Sequence, residues 1–347
     1  MSTYIVKRLL LMIPTLLMVL LINFVVIQLA PGGPVEQAIY QSQHANNLAI
    51  GGLQYQGQQG LTPEMLEQIK IQYGFDQPVH LRFWEMLKSY AQFDLGQSFF
   101  KGQAVTELIW EKLPVSLSLG FWSTLLIYLV SIPLGIQKAK KHGSLFDQTT
   151  SLLLAVGYAI PAFIFAILLI VFFAGGSYLQ WFPLQGLSSE NFDELSFFGK
   201  IRDYFSHMAL PLLAMVLGGF ARLTYLVKFS FMEELSKQYV LAARAKGLQD
   251  RAVLYRHVLR NAVLVLIAGL PEALLGILFV GNLFIEIIFN LDGLGMLGFE
   301  AILQRDYPVI FGTLFIFTLL GLVLRLISDV LYRVIDPRIH FDSRGLK

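Results

Sequence analysis

An all-α, polytopic membrane protein with six transmembrane helices is the fold class that this 347-residue sequence predicts. Three observations carry it. Hydrophobic residues make up 55% of the chain and charged residues only 14%, with a mean hydropathy of +0.61, whereas a soluble domain dresses its surface with roughly 25% charge. Six runs reach the length of about 20 mostly apolar residues that a helix needs to cross the hydrocarbon core. Lys and Arg crowd the segments on one side of those runs, which marks that side as cytoplasmic. The same composition excludes disorder and collagen-like structure. The absence of cysteine excludes disulfides, thiolate metal sites and cysteine nucleophiles. A formal charge of +2 leaves no electrostatic footprint for a nucleic acid.

The spans, in order, are Leu9 to Ala30, Val115 to Ile136, Leu152 to Ala174, Met208 to Val227, Val263 to Phe289, and Val309 to Leu331. The first follows Lys7-Arg8, but its apolar run is too long for the core of a signal peptide. A cut after Ala30 would also place Pro31 next, so this run reads as a retained anchor. With the N-terminus inside, fifteen Lys and Arg lie in cytoplasmic segments and eight outside, while carboxylates run the other way, six inside and fifteen outside. Both termini are then cytoplasmic. The chain divides into a transmembrane helix over 1–30, an external segment with short helices over 31–114, a five-helix core over 115–335 that includes a cytoplasmic loop over 229–261, and a cytoplasmic tail over 336–347. In the external segment Thr62, Pro63, Leu66, Ile69 and Tyr73 spell a capped helix stopped by Gly74, after a loose Gln/Asn/Gly-rich stretch from Gln41 to Gly60. Pro14, Pro133, Pro161, Pro211 and Pro271 each fall inside a span. Such breaks free carbonyls that neighbouring helices or a watery cavity must satisfy, as in a bundle lining a path.

No Gly-Lys-Ser/Thr occurs, so the common phosphate-binding loop of ATPases is missing. The six histidines are far apart in sequence, which gives no zinc-ligand spacing. Gly293-x-Gly295-x-x-Gly298 matches the dinucleotide fingerprint, but it follows a membrane span rather than a strand and reads as a loop.

The cytoplasmic loop holds the most informative stretch, Ser236 to Leu248. Ser236 is placed to cap a helix and Gly247 to end it, with Ala242, Ala243 and Ala245 favouring helix between them. About three turns are too short to be stable alone. The small alanines leave a face that another protein's backbone can approach closely, flanked by Arg244, Lys246, Arg251, Arg256 and Arg260. The alternative is a basic loop packed on its own bundle.

Ala242-Ala243-x-x-x-Gly247 resembles the EAA loop of ABC importer permeases, the helix that sits in a groove of the ATPase subunit. The resemblance covers nearly the whole chain and is closest to the oligopeptide/dipeptide branch. Lys7-Arg8-Leu-Leu-Leu-Met-Ile-Pro14, Ala30-Pro31-Gly32-Gly33-Pro34, Tyr73-Gly-Phe-Asp-Gln-Pro78, Asp94-Leu-Gly96, Arg256-His-Val-Leu-Arg-Asn-Ala262, Asp292-Gly-Leu-Gly295 and Asp336-Pro-Arg338 all look like that branch. Phe289 to Glu300 and Arg305-Asp-Tyr-Pro308 carry a closer match to permeases for peptides and peptide-like antibiotics of the microcin C type. Two departures stand out. Leu241 occupies the place of the loop's Glu, and Leu264-Val265-Leu266 stands where a Pro is common, which shifts the break in the fifth span to Gly269-Leu-Pro271.

The resemblance implies a type I importer permease in the bacterial inner membrane, working by alternating access. It also implies a second homologous permease, an ATP-binding subunit with two nucleotide-binding domains or two such subunits, and a periplasmic peptide-binding protein. ATP and Mg would belong to the partner ATPase, and the chain itself would bind no cofactor and catalyse no reaction. Tyr239, Ala242, Ala243, Arg244, Lys246 and Gly247 would couple it to the ATPase.

Charges inside the spans are functional candidates by default. Arg325 and Asp329, four apart, read as a local ion pair. Glu286 lies a turn from the outer boundary, facing headgroups or a receptor or else serving structure. Glu272, about 15 Å into the fifth span beside Pro271, either lines a path or is a hydrogen-bonded core group. Glu272, Asn282 and Glu286 are the path candidates. Three other readings remain open: a permease for another small solute, a structural subunit, and an intramembrane enzyme, which would need a second group at the depth of Glu272.

Overall fold

The computed structural model describes residues 2–29, 33, 76–175, 178–269, 273 and 283–335. The helix expected over 62–73, the stretch 41–60, Pro271, Glu272, Asn282 and the tail over 336–347 lie outside the described residues. Among those described, regular structure is all helical, with one isolated bridge between Gln97 and Ala104. In order the helices are α1 (Ser2–Leu29), α2 (Val79–Ala91), α3 (Val105–Lys140), α4 (Leu145–Ala159), α5 (Ala162–Phe173), α6 (Phe197–Leu235), α7 (Gln238–Ala245), α8 (Leu259–Ala268), α9 (Leu283–Ile288), α10 (Leu294–Gln304) and α11 (Tyr307–Ile335). Four of them, α1, α3, α6 and α11, are long and apolar enough to cross a membrane, and α4 with α5 makes a fifth candidate. Of the predicted fifth span only the ends are described, in α8 and α9.

Two expectations about the spans need correcting. The third span is no single rod: α4 and α5 meet at 94°. Pro161 has no N–H to continue the helix and disfavours helical backbone in the residue before it. Ile160 is accordingly extended, at φ −84° and ψ 119°. Pro14, Pro133 and Pro211 sit inside unbroken helices. The fourth span is much longer than its apolar centre: α6 has 39 residues, about 58 Å at the helical rise. The connection expected to begin at Phe229 therefore begins at Ser236.

The chain forms two compact units. One comprises residues 1–112 and 297–322. Its core is aromatic: Phe24 lies 5.0 Å from Phe83 and 5.7 Å from Phe311, and Tyr90 lies 5.1 Å from Phe315, centroid to centroid. Buried Asp306 fastens the turn after α2 by accepting from Ser98 Oγ at 2.5 Å and the Phe99 N–H at 3.2 Å.

The other unit comprises residues 113–296 and 323–347 and has two apolar clusters. The first joins Leu119 of α3, Ala166 and Leu169 of α5, Met208, Leu210, Leu212 and Ala214 of α6, and Ile285, Phe289 and Leu291 around α9. The second joins Ala139 of α3, Val227 and Phe231 of α6, Val240 and Ala243 of α7, and Ala262 of α8. Beside this second cluster three charges are buried together: Lys138, Asp147 and Lys228, at 0%, 4% and 6% exposure. Lys228 Nζ donates to both carboxylate oxygens of Asp147 at 2.8 Å. Lys138 Nζ stands 3.0 Å from Asp147 Oδ1 and donates to Asp147 O, Thr150 Oγ1 and Ser151 Oγ at 2.7–2.8 Å. The triad ties α3, α4 and α6.

Candidate functional site

α7 is built differently at its two ends. Ser236 does not cap it: the Ser236 N–H and Oγ both donate to Glu233 O, at 3.2 and 2.7 Å, and so close α6. Lys237 takes the N-cap position, extended at φ −74° and ψ 148°. The helix that follows has eight residues, shorter than the three turns expected. Its other end is as the sequence reads. Gly247 adopts φ +81°, its N–H donates to Arg244 O at 2.9 Å, and the Leu248 N–H donates to Ala243 O at 3.3 Å. These paired bonds form a Schellman motif, whose left-handed residue favours glycine.

The helix has an anchoring face and an open face. Val240 and Ala243, at 0% and 8% exposure, pack into the cluster with Phe231, Val253, Val258 and Ala262. Leu241 is 59% exposed, and Ala242, Arg244, Lys246 and Gly247 are exposed around it. Ala243 thus belongs to the anchor and not to the face open to another protein. Arg244 Nε donates to Asp250 Oδ1 at 3.0 Å, an exposed pair that orients the guanidinium along the turn.

Tyr239 braces this arrangement. Its hydroxyl donates to Glu234 Oε2 at 2.6 Å and accepts from Asn261 Nδ2 at 3.2 Å, while Lys237 bonds the other oxygen of Glu234. Burial, and then the Glu234 acceptor, push the Tyr239 phenol above its usual pKa, so it stays a donor. One hydroxyl therefore links α6, α7 and α8. A π-helical turn over Val253–Val258 packs beneath α7; such turns recur at functional sites. Tyr239, Ala242, Ala243 and Arg244 lie on α7, and Lys246 and Gly247 form its C-terminal cap.

At α9 the burial of Glu286 favours the structural one of its two alternatives. The side chain is fully buried and faces neither headgroups nor a receptor. Its Oε1 accepts from Ser116 Oγ at 3.1 Å and its Oε2 from the Met296 N–H at 2.7 Å, while Ser116 Oγ accepts from the Leu294 N–H at 2.8 Å. The carboxylate thus satisfies the N-terminus of α10, where free N–H groups and the helix dipole favour an anion. The glycines let the carboxylate come close: a Cβ at Gly293 would lie 2.5 Å from Glu286 Cδ, and one at Gly295 2.9 Å from Oε2, so either would displace it. Gly293 and Gly295 of the pattern thus border an anion-holding helix start, filled by the chain's own carboxylate, while Gly298 lies clear of it. Sequence reasoning missed both Ser116 and the Asp147 triad. The only signal was three charges close to predicted span ends and a carboxylate just ahead of Gly-x-Gly.

The described helices, four of them long and apolar enough to cross a membrane, with the short braced α7 after α6, define the class as a helical membrane protein. Residues 131–341, which include that helix and its brace, match the family of binding-protein-dependent transport system inner membrane components, and the chain belongs to this family. It is 52% identical to the inner membrane ABC transporter permease protein YejB of Escherichia coli O157:H7, over 99% of this chain and 100% of the relative. It is also 52% identical to the peptidoglycan transport system permease protein YejB of Agrobacterium fabrum, over 100% of both chains. The oligopeptide transport system permease protein AppB of Bacillus subtilis is 34% identical over 98% of this chain and 100% of its own. The inward-facing MetNI methionine ABC transporter matches 66% of this chain and 97% of its own with a TM-score of 0.48 at 14% identity, too loose a likeness to add to the family assignment.

Proposed function

We propose that the chain is the permease subunit of an ATP-driven importer that moves peptides and peptide-like compounds, those of the microcin C type included, from periplasm to cytoplasm by alternating access. It crosses the inner membrane six times with both termini inside. The observation that carries the reading is α7, held by Val240, Ala243 and Tyr239 while Leu241, Ala242 and Arg244 stay open. A short helix fixed this firmly, with Leu241 and Ala242 exposed among the described residues, suits a groove on a partner that moves. The sequence lacks a phosphate-binding loop, so ATP and Mg belong to that partner, as one chain with two nucleotide-binding domains or as two subunits. A second permease and a periplasmic binding protein complete the complex. Glu272 and Asn282 line the path, and Glu286 supports it by holding the outer turn. The full-length relatives named for oligopeptide and peptidoglycan transport support the cargo class.

The test is reconstitution of the chain with its ATPase, second permease and binding protein in proteoliposomes. ATP-dependent uptake of a labelled peptide, with hydrolysis stimulated by the loaded binding protein, is expected. Competition between a linear peptide and a peptidoglycan fragment then ranks the cargo. Assembly without any response to ATP would favour a structural subunit and sink the reading.

A further inference from the structure

The two lysines held by Asp147 have no part in the open face of α7, yet they are built into the same packed body. Ala139, next to Lys138, and Val227, next to Lys228, belong to the cluster that receives Val240 and Ala243. Only Ser236 and Lys237 separate α6 from α7, and Glu234, Lys237 and Tyr239 lock that joint. A displacement of α7 therefore reaches the end of α6 directly. Seven residues up α6 from its last residue stands Lys228, bonded to both oxygens of Asp147 at the start of α4, and Asp147 holds Lys138 near the end of α3. We infer that Asp147, gripping Lys138 and Lys228, is the positioning residue through which movement of α7 is delivered to α3 and α4 as well as to α6. The inference rests on the permease reading above.

The energetics fit a joint better than a simple staple. A buried ion pair contributes little net stability, and well-packed apolar residues often replace one without loss. Apolar contacts alone would hold these helices together, but they let packed helices slide past one another in the small shear motions that switching proteins use. A carboxylate shared by two cations resists sliding, because any shift strands a buried charge. Lys138 has oxygens of Asp147, Thr150 and Ser151 around its ammonium, so a shift of α3 against α4 would break several of its bonds at once.

The experiment measures peptide uptake per ATP hydrolysed in the reconstituted complex. For Asp147→Asn, stimulated hydrolysis should persist while uptake per ATP falls about tenfold, within the usual range of coupling between sites. Because this variant leaves two buried lysines, Asp147→Asn/Lys228→Met is measured beside it; the pair loses one charge of each sign and keeps the neighbourhood packed. If the joint is what matters, the double variant assembles normally and remains uncoupled. If it recovers wild-type uptake per ATP, or if Asp147→Asn loses only assembled complex with its ratio intact, the triad is a structural staple and the inference is overturned. A wild-type complex that shows no ATP-driven uptake would instead overturn the permease reading itself, so the two failures are distinct.

Discussion

Gly293 and Glu286 show how far single atoms decide this structure. A methyl group at Gly293 would sit 2.5 Å from the Glu286 carboxyl carbon. Gly293→Ala should therefore cost about 1–3 kcal/mol, the usual range for overpacking, read as a lower Tm in detergent. Glu286→Gln keeps one acceptor oxygen and should be milder than Glu286→Leu. The leucine leaves the Met296 N–H and Ser116 without their acceptor, at about 1–3 kcal/mol for each buried group. Equal Tm values for the two Glu286 variants would mean that the cradle contributes nothing. The partner of Glu286 could not be read from the sequence, because Ser116 is 170 residues away and nothing local encodes the contact. On α7 a similar contrast separates neighbours. Ala242→Arg should leave the fold intact and abolish stimulation of the ATPase, whereas Ala243→Arg should lower Tm, because residue 243 is packed and residue 242 is open. Matching Tm losses for both would mean that the two faces are misassigned.

At the scale of elements, what was legible is what is encoded locally. The end of α7 could be read because a Schellman motif needs only its own glycine. A Cβ added at Gly247 would meet nothing within 4 Å, so the requirement for glycine there is conformational and not steric. Gly247→Ala should cost about 1–2 kcal/mol, the strain of a left-handed non-glycine residue, seen as faster hydrogen exchange at the last amides of α7. Unchanged exchange would show that the Val240 and Ala243 anchor holds the helix without its cap. The start of α7 was misread because Ser236 has two helices to choose from, and it closes the earlier one. The proline breaks were equally ambiguous. Pro14, Pro133, Pro161 and Pro211 look alike in sequence, yet only Pro161 among them turns the chain, since α4 and α5 pack separately against α6 while the other three helices run on as single rods.

At the scale of the molecule, α3 supplies a ruler. Ser116, which holds the Glu286 cradle, and Lys138, which holds Asp147, are 22 residues apart on one helix, about 33 Å at the helical rise. A hydrocarbon core is about 30 Å thick, so the cradle and the triad are separated along α3 by about one core thickness. On the topology proposed above, the excess of Lys and Arg in the segments around α7 would place the triad at the cytoplasmic face. A charge bias needs no contacts, so an orientation can be proposed from composition alone; the two polar clusters were not legible, because each is assembled from distant spans. The absence of cysteine makes the orientation directly testable. Glu190, exposed in the connection before α6, and Gln249, exposed just after α7, lie beyond the two ends of the same long helix. In intact spheroplasts a membrane-impermeant maleimide should label Glu190→Cys and spare Gln249→Cys, which should react only once the membrane is opened. The reverse pattern would turn the protein over and put α7 beyond the reach of any cytoplasmic ATPase. Labelling of both from outside would mean that α6 does not cross at all, and a helix about twice the thickness of the core would then need another reason for its apolar centre.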